Sequence, residues 1–170
     1  MQNQGMHPFE QDGAKLMSKF DADPGPFRPL HYTCYIDVPV IANGRGVGQI
    51  NTNQQPFLFL RLSHQIIGNT ADPEWSGLYQ DGQYLIEYRD EMSNYQNVAT
   101  PADVLCGNVQ SGFISWLPMP LGLAGSRTFT FTVENNYTRI LTPVSTTFRV
   151  AITMHGLADW GSLLPKSMQR

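Results

Sequence analysis

Residues 127–133 read Arg-Thr-Phe-Thr-Phe-Thr-Val, and the alternation is strict. In an extended chain successive side chains point to opposite faces, so Phe129, Phe131 and Val133 share one face and Thr128, Thr130 and Thr132 the other. At the roughly 100° step of a helix the same residues scatter around the circumference, and no single buried face results. Thr, Phe and Val also suit a pleated, half-buried surface. Residues 146–154 repeat the pattern with Phe148, Val150, Ile152 and Met154 on one side. Two such strands near the C-terminus make this a sandwich-type β chain. Residues 128–133 contribute architecture without chemistry, since they hold no acid, base, thiol or metal ligand.

The rest of the chain divides around that frame. Residues 1–30 read as an extended N-terminal arm: Gln and Asn open it, and Pro24, Gly25, Pro26 and Pro29 close it in a form that cannot continue a helix. Within it Phe9, Leu16, Met17 and Phe20 share one side of a short helix, weakened by Gly13. Residues 31–160 hold the sandwich domain, and 161–170 a short C-terminal tail. The first strand is expected over His31 to Val38, with Pro39 ending it or placing it on an edge. Gly44-Arg45-Gly46-Val47-Gly48 looks like a phosphate loop but no periodic helix follows it, so a turn into a strand at Val47 to Asn51 is expected instead.

Phe57 to Leu62 is apolar on both faces and reads as a central strand, with Phe57, Phe59 and Arg61 opposite Leu58, Leu60 and Leu62. Residues 66–83 form a long loop carrying Trp75 and Tyr79. Residues 83–89 alternate again, Tyr84, Ile86 and Tyr88 facing one way. Residues 90–102 are loop-like; 104–106 and 112–116 supply short strands, and Leu117-Pro118-Met119-Pro120 forces an extended connection. Strand-like runs separated by turns, with no recurring helical pattern, predict an all-β chain: one antiparallel β-sandwich, jelly-roll-like in topology.

Composition narrows the function. The 170 residues suit one core. Apolar residues are 41% and aromatic residues 11%, but charged residues only 15%, well under the usual quarter. Net charge is −3 and the basic residues are dispersed, which excludes the basic stripe of a nucleic-acid groove. Lys15, Lys19 and Lys166 leave residues 20–165 with arginine alone, the cation favoured at protein interfaces. Cys34 and Cys106 match no zinc or redox spacing and are read as two buried free thiols. No signal peptide and no stretch of about 18 apolar residues is present, so the expectation is synthesis in a reducing cytoplasm without membrane insertion. Asn136-Tyr137-Thr138 matches a glycosylation sequon but is read as a loop triplet.

A search for chemistry returns little. His7, His31, His64 and His155 lack the clustered two-His-and-Glu pattern of a cupin metal site, and no metal or cofactor is expected. Asp90-Glu91, with Glu87 nearby, is the densest acidic cluster, but neighbours on a strand point to opposite faces and are badly placed for joint catalysis. No serine sits in a nucleophile elbow and neither cysteine is in a nucleophile context. Trp75, Tyr79 and Tyr95 on long loops suit either a glycan-stacking platform or a protein interface.

The Pro26-Phe27-Arg28-Pro29 entry into Tyr35-Ile36-Asp37-Val38-Pro39-Val40, the Leu117-Pro118-Met119-Pro120 segment and the paired strands Thr128 to Val133 and Thr146 to Met154 together resemble small β-sandwich structural proteins of tailed-bacteriophage virions. The resemblance covers most of residues 26–156 and is one of pattern. It implies a non-enzymatic capsid decoration or cement protein, located on the capsid surface of a virion, bound to the major capsid protein and to copies of itself. Interface candidates are Phe9, Leu16, Phe20, Phe27, Trp75, Tyr79, Tyr95 and Trp160. Two alternatives stand beside it: a fibre, baseplate or connector module binding surface glycan or another virion protein, and a cupin-like metal enzyme.

Overall fold

The computed structural model describes residues 8–67, 84–90, 96, 98–108, 113–117, 120–123, 126–136 and 147–161, and for residues 8–13, 108 and 113 the backbone alone. In chain order the elements are α1 (Pro8–Ala22), β1 (Phe27–Pro39), β2 (Arg45–Asn51), β3 (Phe57–Ile67), β4 (Tyr84–Asp90), β5 (Thr100–Pro101), α2 (Ala102–Cys106), β6 (Gly107–Asn108), β7 (Phe113–Ile114), β8 (Leu121–Leu123), β9 (Thr128–Asn135) and β10 (Thr147–Asp159). The chain is an antiparallel β-sandwich. One sheet runs β1-β10-β3-β8, the other β2-β9-β4-β5, and β6 and β7 form a separate two-stranded ribbon.

The pairing has a nested logic. β4 pairs with β5, β3 with β8, β2 with β9 and β1 with β10, each antiparallel. Two arms of the chain therefore lie side by side along their length, and the double arm is rolled so that β10 also pairs with β3 and β9 with β4. Apolar alternation drives the roll. Phe129, Phe131 and Val133 of β9 meet Phe148, Val150, Ile152 and Met154 of β10 in one core, with Ile36 and Val38 of β1 and Tyr84, Ile86 and Tyr88 of β4. Each such side chain contributes roughly 1.5–3 kcal/mol by leaving water. Tyr88 stacks on Phe131 at 5.9 Å between ring centres, and Phe59 meets Phe129 edge to face at 6.3 Å.

Three departures from the sequence expectation have identifiable causes. β1 begins at Phe27 rather than His31, and β3 runs on to Ile67. In β3, Phe57, Phe59 and Leu62 all face the core although strict alternation sets Leu62 opposite Phe57. A bulge explains it: His155 pairs with Arg61 and the next residue, Gly156, with Phe59, so Leu60 is an extra residue that resets the parity. The carbonyl freed at Leu60 accepts the Leu117 amide at 3.0 Å. Gly156 is required there, because a Cβ would stand 2.1 Å from the Leu58 carbonyl oxygen. Finally, residues 104–106 belong to a short helix, not a strand. Asp103 places a carboxylate in the first turn, where it suits the helix N-terminus, and Gly107 ends the helix at φ 83°.

The N-terminal segment is not extended throughout. Pro8–Ala22 is a helix that packs against β8 and β3, covering the edge of the first sheet. Leu58 is fully buried yet lies outside the inter-sheet core, on the face opposite Phe57 and Phe59. The helix supplies cover on that side. Phe20 meets the buried Phe27 edge to face at 5.4 Å, and Lys19 pairs with the buried Asp159. The Gly-rich segment is a packing device: at Gly46 a Cβ would stand 2.4 Å from the Asp37 carbonyl oxygen, and at Gly48 2.6 Å from Ile36, so only glycine lets β2 close against β1.

Candidate functional site

The outer face of the first sheet gathers polar groups from β1, β10 and β3. Register places His31, His155 and Arg61 in one cross-strand row, Thr33, Thr153 and Ser63 in the next, Tyr35, Ala151 and Gln65 in a third, and Asp37, Arg149 and Ile67 in a fourth. At one end His31 Nδ1 and His155 Nδ1 are 3.0 Å apart, and His155 Nε2 is 2.6 Å from Ser63 Oγ. Burial, the nearby Arg61 guanidinium and His31 hold His155 down to about 4, so its ring is neutral at physiological pH. Arg61 reaches over Trp116, 5.8 Å from the ring centre. Thr33 and Thr153 share a hydroxyl hydrogen bond of 2.9 Å. At the far end Arg149 grips Asp37 through two bonds of 2.7 and 2.8 Å, and that bonding lowers the Asp37 carboxyl and raises Arg149. Tyr35 lies between, 60% exposed. The face is an open sheet surface formed by β1, β10 and β3.

A second polar group lies inside. His64 Nδ1 is bonded to the Tyr84 hydroxyl and its Nε2 lies 3.3 Å from Asp103 Oδ1, joining β3, β4 and α2. Burial lowers the His64 pKa, opposed by Asp103. Tyr84 is fully buried and the Asp103 side chain is partly exposed, so this chain of bonds runs from the core to the surface and ties α2 to the two sheets. Both cysteines are free and buried. Burial pushes Cys34 up to about 11 and raises Cys106 further, which keeps both as thiols and removes them as nucleophiles. Asp90 is buried on the inner side of β4 while Glu87 faces out, so these two carboxylates do not converge. Among the described residues no three His, Cys, Asp or Glu side chains group to hold a metal. No helix among them is long and apolar enough to cross a membrane.

The interface candidates separate. Leu16 and Phe20 are half-buried on the inner side of α1, against their own domain. Phe27 is a correction: at 4% exposure it packs inside the molecule and offers no surface to a partner. Trp160 is 41% exposed beside the last strand, its amide donating to the Pro26 carbonyl at 3.1 Å. Phe9 lies in α1, but its side chain is outside the described residues, as are Trp75, Tyr79, Tyr95 and Glu91 entirely. Beside Trp160, the large exposed apolar groups among the described residues, none of them a candidate from the sequence, are Tyr35, Ile41, Val47, Ile67, Val98, Val104, Ile114 and Trp116. Gln96 was also missed: its side chain imitates a peptide unit, accepting from the Tyr88 amide at 2.8 Å and donating to the Ile86 carbonyl at 3.2 Å, and so prolongs the sheet beyond β4. Compared with known proteins, the chain matches no family model, no curated sequence and no solved structure.

Proposed function

We propose that the chain is a non-enzymatic structural protein of a virion, a capsid cement or decoration protein that binds the outside of a head shell and contacts copies of itself. The observation that carries this reading is the nested pairing of eight strands, β1 with β10, β2 with β9, β3 with β8 and β4 with β5. We read this order as a jelly roll, an architecture used by viral coat proteins, lectins and cupins. Of these three, the cupin reading needs a ligand cavity between the sheets. Here that space is filled by Phe129, Phe131, Phe148, Tyr84 and Met154, and the inward His64 is already engaged by Tyr84 and Asp103. The low charge and the exposed Tyr35, Val47, Ile67 and Trp116 on broad sheet faces and edges favour protein contact. A stable contact of ordinary size buries about 1,600 Å² in total.

The glycan-binding alternative rests on Trp75, Tyr79 and Tyr95. The experiment that separates the two is incubation of the purified full chain with head shells assembled from the capsid protein encoded in the same genome, alongside a glycan array. Saturable sedimentation with shells and a silent array support the cement role; a positive array with no sedimentation overturns it.

A further inference from the structure

His31 and His155 face each other across directly paired positions of β1 and β10, on the open side of the sheet, with their Nδ1 atoms at hydrogen-bond distance, a separation that also suits a chelate. A first-row transition ion about 2.05 Å from each nitrogen requires the two nitrogens to be about 2.9 Å apart at a right angle and about 3.4 Å apart at the tetrahedral angle. The two Nδ1 atoms are 3.0 Å apart. Ring orientation adds a second test. If both Nδ1 lone pairs aim at one such ion, the ring centres fall about 4.5 Å apart at a right angle and about 5.2 Å apart at the tetrahedral angle, whereas a linear imidazole-to-imidazole hydrogen bond sets them about 5.3 Å apart. The observed separation is 4.7 Å, with the rings inclined at 68°.

The surroundings prepare one ring for this task. Ser63 Oγ stands 2.6 Å from His155 Nε2, and in the tautomer whose Nε2–H donates to this hydroxyl the Nδ1 lone pair is bare. Such an outer partner on the second nitrogen accompanies most metal-binding histidines. Arg61 opposes a cation here, and its guanidinium is turned over the Trp116 ring.

We propose that His31 and His155 form a surface site for a divalent transition-metal ion of the zinc, nickel and copper class, bound through both Nδ1 atoms with its remaining positions open. The site does not depend on the virion role. Open positions leave room for water or for a ligand from a facing protein surface.

The test uses the full chain, freed of metal and titrated calorimetrically with zinc and nickel chloride near pH 7.5, with copper(II) binding followed by electron paramagnetic resonance. The expected result is one ion per chain and a copper spectrum split by two nitrogens. His31→Ala and His155→Ala are each expected to weaken binding at least about tenfold, and Ser63→Ala by about tenfold. Because His31 is exposed, His31→Ala should leave the circular dichroism spectrum and melting temperature unchanged. Absence of saturable binding at millimolar zinc and nickel overturns the proposal. So does binding that survives both histidine substitutions, which would place the ion elsewhere, His7 included.

Discussion

At the scale of single residues the two faces of β9 make opposite demands. Phe131 is fully buried and stacks on Tyr88, whereas Thr130 is half-buried on the outer side, between Gln49 and Arg89 in the cross-strand register. Phe131→Ala should cost about 3–5 kcal/mol in chemical denaturation, while Thr130→Ala should change stability by no more than about 0.5 kcal/mol. Comparable losses would show that the register of β9 is wrong. Gly156→Ala is the sharper case, since its Cβ would meet backbone at 2.1 Å and backbone yields less than a flexible side chain. The expected loss is about 3 kcal/mol, at the upper end for overpacking; a thermal melt equal to that of the parent would remove the bulge from the account. None of this bulge is visible in the sequence, where Gly156 is one glycine among 15. The alternation of Thr128 to Val133 was legible because one face of that strand is buried along its whole length. The Leu60 bulge was not, because it depends on which residues β10 sets opposite β3.

Acid response also belongs to individual side chains. His155 lies near 4 in the folded protein against 6.5 for a free imidazole, so between those pH values the unfolded chain binds more protons. Stability from this group is therefore complete above about pH 6.5 and is lost as pH falls toward 4. His64, lowered by burial, acts in the same direction. His155→Gln should flatten part of the pH dependence of the melting temperature between pH 4 and 6.5. A variant whose profile overlays the parent's would contradict the assignment.

At the scale of elements, α1 decides how the N-terminal segment is understood. Its amphipathic residues Leu16 and Phe20 were legible as one helical side, but the surface receiving them was not, because β8 has only three residues and no periodicity to read. The helix closes the edge of the first sheet and shields it from edge-to-edge pairing. It is tied down by the Lys19 pair with Asp159, whose carboxylate is buried and also accepts from the Gly161 amide at 3.0 Å. Lys19→Ala should cost roughly 1–3 kcal/mol by depriving a buried carboxylate of its charged partner. Removal of residues 1–25 should lower the melting temperature and increase binding of a hydrophobic dye as Leu58 and its surroundings are uncovered. A truncated chain with unchanged melting and dye binding would show that α1 is not a structural lid. The candidate site tells the same story at element scale: His31, Ser63 and His155 are far apart in sequence, and only the β1-β10-β3 order brings them into contact.

At the scale of the whole molecule, a filled interior and broad outer faces fit a protein that acts through its surface. The core is occupied by aromatic and branched side chains, and both thiols are buried as neutral groups. What the faces present is mixed: a polar row of His31, His155 and Ser63, exposed Tyr35 and Ile67, and the Asp37–Arg149 clasp. Overall class was readable from alternation and turn residues, since both are local. Strand order was not, because pairs such as β1 with β10 join residues more than a hundred positions apart. The most direct measurement is co-sedimentation of the purified full chain with head shells assembled from the capsid protein encoded in the same genome. The account expects saturable pelleting at a fixed ratio of chain to capsid subunit; a chain that stays in the supernatant at every ratio, while remaining folded by circular dichroism, would contradict it.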